Sequence, residues 1–198
     1  MNLYLRLLHL LFVGGRRTRV TALGPVRTPF RVWPSDLDLL RHVNNGVYLT
    51  IMDVARLDLL ARAGVAPLLK AEGWYPVVVA ETITFKRSLK LFERFDVRTQ
   101  VIGWDERALF LQQDFLRGDG LVASAVVRAR FLGRDGSKVT SRQVLDLAGH
   151  DPAGHDPAPL TMPRWVTEWA EATEIRSAEA VPYVDGTEST SPQPAPLG

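Results

Sequence analysis

Between Val47 and Leu60 only Thr50, Asp53, Arg56 and Asp58 interrupt a run of apolar residues. Thr50, Asp53 and Arg56 stand three apart and form one narrow polar stripe, while Tyr48, Ile51, Met52, Ala55, Leu59 and Leu60 cover much of the rest. A helix that is apolar nearly all round is a buried helix. The Asn44-Asn45-Gly46 turn supplies its start, since Asn is a favoured N-cap, and Gly64 supplies a stop. A second short helix is expected from Ala66 to Glu72.

The rest of the chain changes period from helical to two. Upstream, Val26, Thr28, Phe30 and Val32 alternate with Arg27, Pro29, Arg31 and Trp33, and Pro29 marks an edge or a bulge. Downstream, alternation recurs over Val77–Phe85, Phe95–Val101, Leu109–Phe115 and Leu121–Phe131, with turns at Gly118-Asp119-Gly120 and Gly133–Gly136. A further short strand is expected from Val139. Short turns between alternating runs describe an antiparallel meander. The small residues Ala123, Ala125 and Ala129 on one face would let a helix come close. One long buried helix and several strands leave few architectures: the sheet must curl around the helix. The expected class is α+β, with about five to six strands.

The ends read differently. Residues 1–13 are apolar, with Leu3, Leu7, Leu10 and Leu11 on one side, and are followed by Arg16, Arg17 and Arg19. The run is short of the ~20 apolar residues of a spanning helix. It reads as an amphipathic segment docked on the body, on a partner subunit, or on a membrane surface through residues 1–17. After Asp151 the composition turns to Pro, Gly and Asp, Trp165 and Trp169 suggest a peripheral helix, and the end from Thr187 is expected to be disordered. The organisation is therefore an N-terminal segment (1–20), one domain (21–150) and a C-terminal extension (151–198). A chain of 198 residues suffices for one well-buried core.

Composition narrows the function classes. With 24 basic against 22 acidic residues the charge is too balanced to argue for nucleic acid. The chain has no cysteine, so disulfides, thiolate metal sites and a Cys nucleophile are excluded. His9, His42, His150 and His155 have no metal-ligand spacing, and no metal is expected.

Chemistry concentrates in the loop before the helix. Asp38 and His42 lie four apart, just ahead of a helix start whose first N–H groups, near Asn45, Gly46 and Val47, lack intrahelical partners. That positive end favours an oxygen on which negative charge develops, and a nearby carboxylate can act as base or nucleophile. The plainer reading is that Asp and Asn merely cap the helix and His42 braces the loop. Asp36 reads as a turn or capping residue, and Asp53 with Arg56 as a helix-face ion pair. Glu81 is either paired or lining a pocket. Lys86, Arg87, Lys90, Arg128, Arg130 and Arg134 are solvated cations or coenzyme phosphate contacts.

The loop SDLDLLRHVNNGVYL resembles the signature of hotdog-fold thioesterases of the 4-hydroxybenzoyl-CoA thioesterase-like superfamily. Together with RSLKLFERFDVRTQVIGWDERALFL, Arg87 to Leu111, it is similar to the thioesterase superfamily member six group. The resemblance implies a hotdog fold, one long helix wrapped by an antiparallel sheet, paired into a homodimer with active sites at the interface. It implies hydrolysis of acyl-CoA or acyl-ACP thioesters without a metal or bound cofactor, in a cytoplasmic or membrane-associated protein. Carried over, the catalytic Asp falls on Asp38, the assisting His on His42 and the oxyanion-binding N–H on Asn45. Asn44 and Gly46 would shape the substrate site at the helix start, and Tyr48 and Met52 would flank an apolar tunnel for the acyl chain. Leu40 stands where plant acyl-ACP enzymes carry an Asn, and Ser88 or Leu89 where they carry an acidic or Cys residue. A hydratase or dehydratase of the same fold, or a non-catalytic acyl-binding protein, are the alternative readings.

Overall fold

A computed structural model of the chain describes Arg6, residues 18–149 and residues 160–174. The expectations for the rest of residues 1–17, for His150 and His155, and for the end from Thr187 fall outside the described residues.

The elements run β1 (Val26–Arg31), a one-turn 3-10 helix (Pro34–Asp36), α1 (Asn45–Arg62), α2 (Val65–Ala71) and β2 (Trp74–Phe85). They continue through β3 (Arg94–Trp104), β4 (Leu109–Arg117), β5 (Gly120–Gly133), β6 (Lys138–Val139), α3 (Ser141–Leu147) and α4 (Arg164–Ala172). One antiparallel sheet has the order β1-β3-β4-β5-β2, with β6 added to β5. The α+β class expected from the pattern and the hotdog fold that the resemblance implies are the ones observed. Gly64, at φ 73°, breaks the chain between α1 and α2 in a left-handed conformation that costs glycine nothing.

The core forms because α1 buries most of its surface on the sheet's inner face. Tyr48, Ile51, Met52 and Ala55 pack on Val97, Phe115, Ala123, Ala125 and Val127. The alanines of β5 do let the helix approach. Phe30, Phe95, Phe115 and Tyr48 form a chain of ring contacts 4.9–5.9 Å apart through this core. The C-terminal half of α1 packs with α2, α3 and the far ends of β3–β5, through Leu59, Val65, Val101 and Leu145. The outer face of the sheet is covered by α4, whose Val166 and Ala170 meet Ile102, Phe110 and Val126.

Two details depart from the sequence reading. The strand expected from Val139 stops there, because Thr140 caps α3: its hydroxyl accepts the Gln143 N–H while the Gln143 side chain accepts the Thr140 N–H. The signal was present as T-x-x-Q, a capping box. Asp58, the fourth polar residue of α1, is fully buried and accepts a hydrogen bond from the Thr28 hydroxyl at 2.7 Å.

Candidate active site

The loop before α1 is a tight hairpin of its own. Leu37 and Val43 form an isolated antiparallel bridge, the Asp38 N–H donates to the His42 carbonyl at 2.8 Å, and the Arg41 N–H donates to the Asp38 carbonyl at 3.0 Å. Arg41 takes the left-handed conformation at φ 60° to close the turn. Asp38 is half-buried, and its Oδ1 accepts the backbone N–H groups of Leu40 (2.9 Å) and His42 (3.0 Å). Oδ2 takes no hydrogen bond from the described residues. One oxygen thus holds the loop and the other stays uncommitted.

His42 is exposed, and its ring makes no hydrogen bond among the described residues. Asn44 is the N-cap: its Oδ1 accepts the Gly46 N–H at 2.8 Å and its carbonyl accepts the Val47 N–H at 2.9 Å. The Asn45 N–H remains without a partner among the described residues. It is therefore the donor that the positive end of α1 presents to solvent. Asp38, His42, Asn44, Asn45 and Gly46 thus lie on one loop and helix start.

Tyr48 and Met52 lie on the inner face of α1. Both are buried in the solid core, with Tyr48 4.9 Å from the rings of Phe85 and Phe115. Burial pushes the Tyr48 phenol up from its ordinary value, partly offset by a hydrogen bond with the Leu89 backbone. The open apolar space lies further along α1. A cavity of about 270 Å³ is lined by Asp53, Arg56, Leu57 and Leu60 of the helix and by inner-face residues of β3–β5.

Three further arrangements escaped the sequence reading in whole or in part. Asp36 is buried, its Oδ2 accepting the Trp33 N–H at 2.7 Å and pairing with Arg6 at 2.5 Å, while its carbonyl accepts the Asn44 N–H at 2.9 Å. Arg6 is held down from its ordinary pKa by burial, against the raising effect of Asp36. Nothing local in the sequence marks a partnership across thirty residues. Arg56 pairs with Asp53 as expected, but also donates to the buried Gln113 at 2.7 Å, and Gln113 in turn donates to the Met52 carbonyl and to Thr99. Arg128 is buried against Asp105 and the Ala170 carbonyl on the outer face, which removes it from the set of coenzyme-facing cations. Glu81 is half-buried and its charge acts on Arg56.

Comparison with known proteins points one way. Residues 32–170 match the sequence profile of the thioesterase-like superfamily. Protein THEM6 of Xenopus laevis is 36% identical over 110 residues, which are 54% of this chain and 53% of that protein. The chain thus spans about half the length of that curated relative and of its zebrafish counterpart. Among solved structures, YbaW of Escherichia coli superposes with a TM-score of 0.58 at 22% identity, covering 61% of this chain and 94% of that one. The gentisyl-coenzyme A thioesterase BH1999 superposes at 0.56 with 20% identity, covering 61% and 99%. At these identities the two structures speak for the fold.

Proposed function

The chain belongs to the thioesterase-like superfamily, and from that premise we propose that it hydrolyses an acyl-CoA or acyl-ACP thioester to a carboxylic acid and a free thiol. The observation that carries the reading is Asp38: a half-buried carboxylate with one oxygen fixed by the loop and, among the described residues, one without a hydrogen bond, on the loop that leads into a helix start whose first N–H has no partner among them. Asp38 takes the proton of an attacking water, or attacks the carbonyl itself. The bond from oxygen to the acyl carbon forms as the carbonyl oxygen gains negative charge, and the Asn45 N–H and helix dipole stabilise that charge. The C–S bond then breaks, and the departing thiolate is protonated, with exposed His42 assisting; where Asp38 itself has attacked, water then hydrolyses the acyl–aspartyl anhydride, releasing the carboxylic acid and restoring the carboxylate. Asn44 and Gly46 keep the N–H array in place through the cap.

A homodimer belongs to the same reading. β2 is a long edge strand whose Tyr75, Val78, Val79 and Phe85 are exposed, and an uncovered apolar edge is a template for pairing with a second copy. The test is a panel of acyl-CoA and acyl-ACP substrates followed for both thiol release and enoyl hydration. Thiol released with turnover supports hydrolysis; hydration without free thiol would move the assignment to a hydratase, and saturable binding without either product to an acyl-binding protein.

A further inference from the structure

The cavity beside the C-terminal half of α1 has no place in the chemistry above. Its walls are Leu59, Val101, Leu111, Phe131, Val144 and Leu145, all buried, from α1, β3, β4, β5 and α3. Among the described residues Asp53 and Arg56 are its only polar lining, and they are engaged with each other, Arg56 also with Gln113. Asp53, Leu57 and Val78 are exposed, so the space opens to solvent between α1 and β2. Gly46, Thr50, Asp53 and Leu57 share one side of the helix, which joins this mouth to the helix start on a single surface. From Asn45 to Asp53 the separation along the axis is about 12 Å.

We infer that this cavity seats the end of a long, linear, aliphatic acyl chain, so that the preferred substrates are long-chain aliphatic thioesters rather than hydroxylated aromatic ones. The inference rests on the thioester-hydrolase reading for its catalytic consequence, but the seat itself is a binding property. An apolar cavity of about 150 Å³ accommodates a benzene-sized ligand, so about 270 Å³ holds roughly ten carbons. A short acyl group held at the helix start stops before the mouth; a long one crosses two helix turns and enters. A hydroxylated aromatic acyl group, such as the one BH1999 is named for, would bury hydroxyls against Leu, Val and Phe with no partner. That costs roughly tenfold in affinity for each hydroxyl. Every methylene that leaves water for the cavity strengthens binding by roughly fourfold until the space is full.

The experiment has two arms on the full chain. In the first, saturated free fatty acids of six to sixteen carbons displace a fluorescent fatty acid from the protein, with no turnover required. Affinity is expected to climb steeply with each added carbon and to level once about ten carbons are buried. Ala148→Phe and, separately, Ala129→Leu, both at the cavity wall, are expected to level the series at shorter chains. Two variants are used so that one folding failure leaves the other informative. In the second arm, kcat/KM is compared for hexanoyl-, dodecanoyl-, hexadecanoyl- and gentisyl-CoA. The long aliphatic substrates are expected to exceed gentisyl-CoA by a hundredfold or more. An affinity series flat with chain length and unmoved by either variant, or a preference for gentisyl-CoA, overturns the inference while leaving hydrolysis standing. Steep binding without thiol release keeps the seat and removes the hydrolase reading.

Discussion

The proposed function gives Asp38 two separable jobs, one on each carboxylate oxygen. The loop needs only an acceptor for the Leu40 and His42 N–H groups, and an Asn side chain offers one. Asp38→Asn should therefore keep the loop and lose the charge, whereas Asp38→Ala should also lose the turn, lowering stability by about 1 kcal/mol. Chemical denaturation of the two variants separates these costs. Further back, Arg6→Met removes the cation paired with the buried Asp36 carboxylate, which keeps its Trp33 N–H, so the change should destabilise by about 1 kcal/mol or more. Asp36→Asn together with Arg6→Met should cost less than the two separately, the signature of direct coupling in a double-mutant cycle. Tyr48 gives a pH dependence with a definite sign. Its phenol is raised in the folded state above the ordinary 10.0, so its contribution is complete below pH 10 and fades as pH climbs through the folded value. Tyr48→Phe should flatten that alkaline loss in a urea-denaturation series. Asp38, His42 and the helix cap were all legible in the sequence because they are neighbours in the chain. The Arg6–Asp36 and Arg56–Gln113 partnerships were not, because periodicity reports which face a residue is on and not which distant residue meets it.

Elements whose identity rests on long periodic runs were the easiest to read. α1 and the four long strands follow from one apolar helix and unbroken alternation, and the structure extends most of them by a few residues at their ends. The short strand expected at Val139 is present but ends there, since the capping box on Thr140 and Gln143 starts α3. Thr140→Ala should accordingly lower stability by about 1 kcal/mol, read from the denaturation midpoint. Because α3 supplies Val144, Leu145 and Ala148 to the cavity wall, the same change should weaken fatty-acid binding. Packing around α1 is the other lesson at this scale. Tyr48 and Met52 lie on the expected inner face, but Phe85, Phe95 and Phe115 fill the space around them, and the void opens near smaller and aliphatic side chains. Binary pattern places residues inside without reporting how well they fill the interior.

At the scale of the whole molecule, the sheet has one long exposed edge, and α1 offers its polar stripe on the same side as the cavity mouth. A second copy added at β2 would cover Tyr75, Val79 and Phe85, so light scattering should report a dimer, and Val79→Lys should shift it toward the monomer. Among the described residues no helix is long and apolar enough to cross a membrane. Arg6, in the N-terminal segment, connects to the loop that carries Asp38 through Asp36 and the Asn44 N–H. The most direct test is thiol release from dodecanoyl-CoA by the wild type and by Asp38→Asn, with circular dichroism and dimer state matched. Hydrolysis by the wild type and a loss of at least a thousandfold in kcat/KM for Asp38→Asn is the predicted result; equal turnover by a folded Asp38→Asn protein would contradict it.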